Sequence, residues 1–368
     1  MTIFSTIKKP TLLLDEDKAI ENLNAIYQKI LLQNKRFRPH FKTHQSTEIG
    51  DWYRKIGIDS ITVSSLEMAQ YFANEGWNDI LVAFPVNILQ LEEIIELSQQ
   101  IKISLLFEDL ETISILDNHL KFPVNGWIKI DTGAHRCGLY PNQLNEIEKL
   151  ADKIRNSEFI TLNGLLTHAG HTYRVVGQQE VNTIYKKSVD DMNEIRSYLD
   201  QKGFRNMEIS VGDTPSAKLV DDFGLIDEMR PGNFLFYDVQ QFIAGVCKFE
   251  EIAVSVVCPV VSVHSNQNEV VIYGGAIHFS KDSHLWNDDI QAFGLVTLPE
   301  YNKWGSKIYG YVRSLSQEHG VVVFPDGIPQ NIKAGSILCI HPAHSCLTVQ
   351  AMREYVNFDG EIISTMLS

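Results

Sequence analysis

Lys42 is the first residue of this sequence whose type and setting suit covalent chemistry. It lies in the stretch Arg38-Pro-His-Phe-Lys-Thr-His44, where an apolar segment runs into the opening of a predicted helix at 47–53. In α/β folds, reactive groups are placed at the carboxyl end of a strand, just before a helix. A lysine amine there can form an imine with a carbonyl group, and burial favours this by lowering the pKa of the amine. The alternative is a surface lysine beside a turn.

Two loops farther along the chain carry an arginine, two histidines and a tyrosine after predicted strands. Arg136 ends the motif Asp131-Thr-Gly-Ala-His-Arg, and an arginine there can bind a phenolate or a carboxylate through paired hydrogen bonds. His168, His171 and Tyr173 share the next loop and are residue types that carry protons or contact rings. A surface arginine in a glycine-rich turn and structural histidines in the core are the alternatives.

Glycine-containing loops follow the last two predicted strands. Their sequences are Gly212-Asp-Thr214 and Arg230-Pro-Gly232-Asn233. Barrel enzymes build phosphate sites at these positions from backbone N–H groups, a hydroxyl and a helix N-terminus. Glycine lets the backbone approach a phosphate closely, and Thr214 adds a donor. Because Gly-Asp-Thr-Pro is also an ordinary turn sequence, the prediction of an anion site depends on the two loops together.

A histidine and a cysteine near the end of the sequence have the spacing of metal ligands. His344-Ser-Cys346 supplies an imidazole and a thiolate, which suit Zn²⁺. Two protein ligands leave positions open for water or substrate, as in a catalytic site. The sequence offers no obvious third ligand, and the alternative is a pair of residues that binds no metal.

The elements that hold these residues alternate between short β-rich runs and helical segments over the first two thirds of the chain. Helical periodicity is clear at 66–75, 89–99 and 178–201. Eight βα units predict a TIM-like (β/α)8 barrel with the candidate residues at its mouth. The predicted strands are 37–41, 60–63, 80–84, 103–107, 127–130, 162–166, 207–211 and 228–230.

The last third of the chain has a different pattern, with β-branched runs separated by Asn, Gly and Pro turns and without a long helix. This pattern predicts a C-terminal β domain over 244–368, following a barrel over 10–243. We expect residues 1–9 to pack with the β domain. The predicted fold class is therefore α/β followed by β, and His344 and Cys346 fall in the β domain.

Composition and charge limit the possible classes of function. The 368 residues are 44% hydrophobic and 21% charged, which is typical of a globular protein. The net charge of -14 argues against nucleic-acid and anionic-membrane partners. We find no apolar run of the ~18 residues that a membrane span needs, and we expect no signal peptide. Five scattered cysteines suggest reduced thiols, so we expect a cytoplasmic protein.

Together these motifs resemble the fold-type III pyridoxal phosphate (PLP) enzymes, in the branch of D-serine dehydratase, D-threo-3-hydroxyaspartate dehydratase and D-threonine aldolase. The resemblance covers nearly the whole chain, from Pro10-Thr-Leu-Leu-Leu-Asp15 to His344-Ser-Cys346, with the intervening motifs in the same order. It implies a barrel like the N-terminal domain of alanine racemase and a homodimer. It also implies PLP and Zn²⁺ or Mn²⁺ as cofactors and a D-amino acid as substrate.

The resemblance implies a role for each candidate residue. Lys42 is the lysine that forms the imine with PLP, and His344 and Cys346 are the metal ligands. The residues implied for cofactor or substrate binding are Lys42, Arg136, His168, Tyr173, Gly212, Thr214, Gly232 and Asn233.

Cys346 separates the subfamilies, since the dehydratases resemble this chain in having His-x-Cys and the aldolases generally have His-x-Asp. It favours a lyase that converts a D-serine-like 3-hydroxy amino acid to a 2-oxo acid and ammonia. A D-threonine aldolase, with His168 or His171 as base, and an amino-acid racemase are the alternatives. A non-catalytic PLP carrier is less favoured because of the added β domain. Gln45 and Asp213 stand where lysine and serine are common, which bears mainly on the substrate.

Overall fold

The computed structural model describes residues 2–287 and 289–367. They form two compact units. The barrel unit comprises residues 26–232, and the β unit comprises the residues up to 25 together with those from 233 onward. A 3₁₀ turn (Ile3–Ser5) precedes the first strand, β1 (Thr11–Leu14), and helix α1 (Glu16–Leu32) follows that strand. Apolar residues three and four positions apart form the buried face of α1: Ala19, Leu23, Ile26 and Ile30.

The barrel unit contains eight short strands, and each strand except the last is followed by a helix. The strands are β2 (Arg36–Phe37), β3 (Ser60–Val63), β4 (Asp79–Pro85), β5 (Lys102–Phe107), β6 (Val124–Lys129), β7 (Ile160–Thr167), β8 (Glu208–Val211) and β9 (Glu228–Met229). The helices are α2 (Thr47–Lys55), α3 (Leu66–Asn74), α4 (Leu91–Gln100), α5 (Leu110–His119), α6 (Leu144–Arg155), α7 (Gln178–Gln201) and α8 (Thr214–Leu219).

The eight strands are parallel and closed into a ring. Their order is β2-β9-β8-β7-β6-β5-β4-β3, and all neighbouring pairs are parallel. The two ends meet just beyond β2, where His40 bridges Thr62 and the Thr62 N–H donates to the Pro39 carbonyl at 2.9 Å. The predicted TIM-like α/β barrel is therefore confirmed.

Burial and helix capping explain why these segments fold as they do. Strands covered on both faces are rich in apolar residues, and one cluster takes a side chain from each strand from β4 to β7: Leu81, Leu106, Trp127 and Leu166. Several helices begin after a Ser or Asp whose side chain accepts a backbone N–H of the first turn: Ser46, Ser65, Asp109 and Asp213.

The first strand of the barrel is shorter than the predicted span 37–41 and is followed by a turn. Strand β2 ends after two residues, and Phe41–Thr43 forms a 3₁₀ turn. Pro39 has no N–H with which to continue a ladder. The N–H groups of Arg38 and His40 still donate to carbonyls at and just beyond the end of β9, at 3.0 and 2.9 Å. The chain therefore stays beside β9 while it turns toward Lys42.

A buried ion network links the strands of the barrel unit. Glu228 is fully buried, and its two carboxylate oxygens accept from Arg38 Nε and from Ser210 Oγ, both at 2.7 Å. Arg38 also donates to Asp79 Oδ1 at 2.6 Å, and Arg230 Nε donates to Ser210 Oγ at 2.6 Å. Burial would raise the pKa of Glu228, but the charge of Arg38 holds it below its ordinary value, so the carboxylate stays ionised.

Replacing Glu228 with alanine should lower the free energy of unfolding by about 3–5 kcal/mol, because Arg38 would lose its buried counter-charge. Urea denaturation measures this loss. Asp51→Ala is the control, since it removes an ion pair with Arg54 whose side chains are 55% and 35% exposed and should cost about 0.5 kcal/mol. Equal losses for the two variants would contradict the prediction.

The β unit consists mainly of short strands. Its helices are α9 (Val239–Ile243), α10 (Ala276–Phe279) and α11 (Ser345–Met352). The strands after β1 are β10 (Val254–His264), β11 (Glu269–Tyr273), β12 (His284–Trp286), β13 (Ile290–Ala292), β14 (Gly294–Thr297), β15 (Pro299–Glu300), β16 (Lys303–Trp304), β17 (Gly310–Leu315), β18 (His319–Val323), β19 (Ile337–Pro342), β20 (Glu354–Asn357) and β21 (Ile362–Ser364). No helix that the structure describes is both long and apolar enough to cross a membrane.

Six strands of the β unit close into a second, antiparallel barrel. The main sheet has the order β11-β18-β17-β14-β19-β10-β1-β20-β21, and β10 also pairs with β11. Strand β10 can join both partners because its register shifts between Val260 and Ser262, a bulge that bends the strand. The predicted C-terminal β architecture is confirmed.

The N-terminal segment groups with the β unit rather than with the barrel, to which the sequence assigned residues 10–25. Strand β1 pairs antiparallel with β10 and parallel with β20, so its hydrogen-bond partners lie in the β unit. Residues 233–243 also group with this unit, although the sequence placed the boundary at 243/244. Phe4 and Leu13 belong to one apolar cluster with Val257, Trp304 and Cys339.

Candidate active site

The C-terminal ends of the barrel strands hold most of the predicted site residues. Parallel strands bring these ends to one side of the sheet. The predicted residues that follow a strand there are Lys42 after β2, Arg136 after β6, His168 and Tyr173 after β7, Gly212 and Thr214 after β8, and Gly232 after β9.

Lys42 lies on the 3₁₀ turn Phe41–Thr43 with its side chain exposed. The preceding Phe41 is fully buried, and its ring lies 5.0 Å from the rings of Phe72 and Trp77. The backbone N–H of Lys42 donates to Nδ1 of His40 at 3.3 Å. The apolar anchor thus fixes the backbone, while the Lys42 amine stays accessible to a carbonyl compound.

Asp131 shapes the loop that carries Arg136. Its carboxylate accepts the backbone N–H groups of Gly133, His135 and Arg136 at 2.9, 3.1 and 3.1 Å. A Cβ at Gly138, where φ is +110°, would lie 2.9 Å from the Asp131 nitrogen, so the return of the loop requires glycine. The Arg136 side chain is exposed at the end of this loop.

Two neutral histidines lie among cations at this mouth. Burial, followed by the charges of Lys42 and Arg230, lowers the pKa of His40 well below its usual value. Burial likewise lowers the pKa of His168 to about 3, with Arg136, Lys42 and Arg230 contributing. His168 Nδ1 donates to the Gly212 carbonyl, since a carbonyl oxygen can only accept. The positive charge around the two rings therefore comes from Lys42, Arg136 and Arg230. The neutral rings of His40 and His168 do not add to it.

The predicted phosphate loops contact one another through main-chain and side-chain groups. The Tyr173 hydroxyl accepts the N–H of Thr214 at 3.0 Å. Thr172 Oγ1 donates to Asp213 Oδ1 at 2.9 Å, and the same oxygen caps α8 by accepting the Ser216 N–H at 2.7 Å. Tyr173 and Thr214 are thus adjacent, as parts of one site should be.

Asp213→Ser should change how stability depends on pH. Burial raises the pKa of Asp213 to about 6, above the value of 3.8 expected in the unfolded chain. The folded state therefore binds this proton more tightly, and the carboxyl destabilises the fold increasingly as pH rises from about 4 to 6. Serine keeps a capping oxygen but does not ionise. We expect the variant to gain up to about 3 kcal/mol relative to the parent between pH 4 and pH 7.

Urea denaturation at four pH values between 4 and 7 measures this difference for Asp213→Ser. The matched control is Asp109→Ser, the same change at the exposed cap of α5. Parent and Asp213→Ser curves that run parallel over this range would contradict the prediction.

The two predicted phosphate glycines are needed for the approach of neighbouring backbone. A Cβ at Gly212 would lie 2.7 Å from the Arg230 carbonyl oxygen, and one at Gly232 would lie 2.9 Å from the His40 carbonyl oxygen. Both contacts are closer than a side chain tolerates. Packing of the strand ends is therefore sufficient to explain both glycines, and their role toward a phosphate stays a prediction.

The predicted metal ligands come together in the β unit. His344 precedes α11 and Cys346 lies in its first turn, and the two side chains form a hydrogen bond. Asn233 belongs to the same cluster, with its Nδ2 2.8 Å from Asp238 Oδ2 and 3.6 Å from Cys346 Sγ. Asp238 is fully buried and also accepts the Ser345 N–H at 3.0 Å, which ties the start of α11 to the turn of Asn233.

Cys346 and two carboxylates control the charge of His344. Burial would lower the pKa of His344, but its hydrogen bond to Cys346 and the nearby Cys346, Asp238 and Asp282 raise it to about 10. Neither aspartate is marked as a site residue by the sequence. They lie 106 and 62 residues before His344 in the numbering of the chain, and no motif marks them. His40 was also missed as a site residue, although it lies within the Lys42 motif.

Comparison with known proteins shows the family of the chain. The model for the N-terminal domain of alanine racemase matches residues 14–239. The chain belongs to this family. A second model, described as a putative serine dehydratase domain, matches residues 253–358. The predicted D-serine dehydratase-like branch of the fold-type III PLP enzymes is confirmed, and the family supports PLP as the cofactor.

The similar proteins favour dehydratase over aldolase. A D-serine dehydratase of Dictyostelium discoideum is 29% identical, covering 89% of this chain and 88% of the relative. A D-threo-3-hydroxyaspartate dehydratase of Delftia is 26% identical over 93% and 92%, and its solved structure has a TM-score of 0.90 at 24% identity, covering 99% and 98%. A D-threonine aldolase of Arthrobacter is more distant, at 22% identity over 63% and 62%.

The donor groups on this chain fit both cofactors. At the barrel mouth, an exposed primary amine suits an aldehyde, and the exposed Arg136 suits a phosphate or carboxylate. In the β unit, one imidazole and one thiol suit Zn²⁺ better than Mn²⁺, which prefers oxygen. Within residues 2–287 and 289–367, no group of three or more His, Cys, Asp or Glu side chains is arranged to hold a metal. The metal stays a proposal.

Proposed function

We propose that this protein is a PLP- and metal-dependent lyase that converts a D-3-hydroxy amino acid of the D-serine type to a 2-oxo acid and ammonia. The observation that supports this proposal is the presence of two sites in one chain. The barrel mouth has an accessible Lys42 amine among cations, and the β unit has His344 hydrogen-bonded to Cys346. Cys346 is the ligand type that favours a dehydratase over an aldolase. The names of the more similar relatives agree with this choice.

Binding and orientation are the work of the barrel unit. Lys42, His168 and Tyr173 would hold the ring of PLP, and Thr214 with the Gly212 and Gly232 backbone would hold its phosphate. Arg136 is available for the phenolate oxygen of PLP or for the carboxylate of the substrate. Because burial keeps His168 neutral, its Nδ1 can donate to the Gly212 carbonyl without placing a charge beside the PLP ring.

Removal of the α-proton falls to Lys42. Its Nζ is the amine that takes the proton from the substrate carbon. The Phe41–Thr43 turn holds the backbone of Lys42, from which this side chain extends. Bound PLP supplies the sink for the electrons that this step leaves on carbon. The exposed Arg136 is the cation available to hold a substrate carboxylate during the transfer.

Departure of the hydroxyl group falls to the β unit. His344 and Cys346 would hold the metal, and the bound metal supplies a Lewis acid for the leaving oxygen. Asp238 holds the start of α11, on which Cys346 lies, through the Ser345 N–H. The enamine that leaves the enzyme then reacts with water to give the 2-oxo acid and ammonia.

The test is to offer D-serine, D-threonine and D-threo-3-hydroxyaspartate to protein loaded with PLP and Zn²⁺ or Mn²⁺, with the L-enantiomers as matched controls. Metal-dependent formation of 2-oxo acid and ammonia from a D-substrate supports the proposal. Glycine plus aldehyde would indicate the aldolase and remove Cys346 as a discriminator. Formation of the opposite enantiomer without need of a metal would indicate a racemase. We also propose a homodimer, which sedimentation of the loaded protein tests.

A further inference from the structure

Asp282 makes a direct contact with a proposed metal ligand, and it has no part in the function described above. Its Oδ2 lies 2.8 Å from Nδ1 of His344. The residue follows α10, and its own backbone N–H donates to Ser280 Oγ at 3.2 Å. The carboxylate is thus presented from a segment with its own internal hydrogen bond.

Asp282 is the carboxylate that accepts from Nδ1 of His344, as the other groups around this ring show. Asp238 is the other carboxylate near the ring, but its Oδ2 accepts from the Ser345 N–H and from Asn233 Nδ2. Its Oδ1 accepts the Gln241 N–H at 3.0 Å. His284 is also nearby, and burial lowers its pKa, which makes it no substitute for a carboxylate. Asp282 therefore holds Nδ1.

A carboxylate on Nδ1 prepares the imidazole to bind a metal through its other nitrogen. In the neutral imidazole, which is the form that binds a metal, this hydrogen bond places the ring proton on Nδ1 and leaves the lone pair of Nε2 for a ligand. It also limits rotation of the ring. The same hydrogen bond makes the imidazole a stronger base, so that Nε2 donates its electron pair to a metal more strongly. We propose that Asp282 is a positioning residue that sets the tautomer and orientation of His344 for the metal.

This inference rests on the proposed function, and metal affinity without substrate tests it. Zn²⁺ affinity is measured by competition with a chelating dye, and the absorption spectrum of the Co²⁺-loaded protein reports the coordination. Asp282→Ala should weaken Zn²⁺ binding by about 10- to 100-fold and shift the Co²⁺ bands. Asp282→Asn keeps an oxygen that accepts from Nδ1 and should lose only several-fold. The exposed Asp326→Asn is the matched control and should leave both readouts unchanged.

The outcomes separate this inference from the proposed function. His344→Ala and Cys346→Ala, measured in the same way, establish whether the metal binds at the proposed site. If both weaken binding while Asp282→Ala stays within twofold of the parent, the inference alone is overturned. If Asp282→Asn is as weak as His344→Ala, Asp282 is itself a ligand and its positioning role is overturned. If His344→Ala leaves affinity unchanged, the proposed metal site fails and the inference fails with it.

Discussion

Lys42→Ala is expected to lower kcat for the D-amino acid substrate by at least about 10³-fold, the largest effect of any single change in the barrel unit. The variant loses both the amine that attaches the cofactor and the base that takes the α-proton. Steady-state turnover with saturating PLP measures the loss. Borohydride reduction of the parent should place the mass of the cofactor on the peptide that contains Lys42.

The control for Lys42→Ala is Lys121→Ala, which removes an exposed lysine elsewhere in the barrel unit and should keep parental turnover. Because Phe41 rather than Lys42 anchors the turn, Lys42→Ala should unfold at the same urea concentration as the parent. Full turnover in Lys42→Ala would refute the proposed chemistry.

His344→Ala is expected to lower turnover by at least about 10²-fold and to remove most of the tightly bound metal, since a Lewis acid supplies several kcal/mol to departure of the hydroxyl. Chelator treatment of the parent should produce a similar loss, and added Zn²⁺ should restore the parent but not the variant. Metal content by mass spectrometry and turnover are the two measurements. His264→Ala, at an exposed position of β10, serves as the control.

Turnover that survives both His344→Ala and chelation would contradict the dehydratase proposal and favour a racemase. If His344→Ala lost turnover but kept its metal, His344 would not be a ligand of that metal. The two measurements therefore separate a structural effect of the substitution from loss of the metal.

Local patterns in the sequence were sufficient to predict the barrel. Strand composition and helical periods are properties of neighbouring residues, so α7 at Gln178–Gln201 was predicted to its ends. Pro39 shortened β2 because a missing N–H outweighs the apolar composition of 37–41. Helix α1 (Glu16–Leu32) also follows a local pattern, since acidic residues begin it and apolar spacing continues it.

Partners that are distant in sequence could not be predicted. Asp238 and Asp282 approach His344 only because the β unit folds around them, and neither has a motif of its own. His40 is close to Lys42 in the sequence, but the sequence does not show that its ring is neutral. That neutrality depends on burial and on the charges of Lys42 and Arg230, which come together only in the folded chain. The same is true of the boundary before residue 26, since β1 is an apolar run whose partners lie at least 240 residues away.

That placement of β1 has a consequence for synthesis of the chain. The barrel unit is continuous in sequence, so all of it has been made once residue 232 is added. Strand β1 is made first of all, yet its partner β20 ends at Asn357. The β unit therefore completes its sheet only when nearly the whole chain exists, and it carries the high contact order that slows folding. A C-terminal fragment expressed without the first 25 residues would present β10 and β20 as open edges.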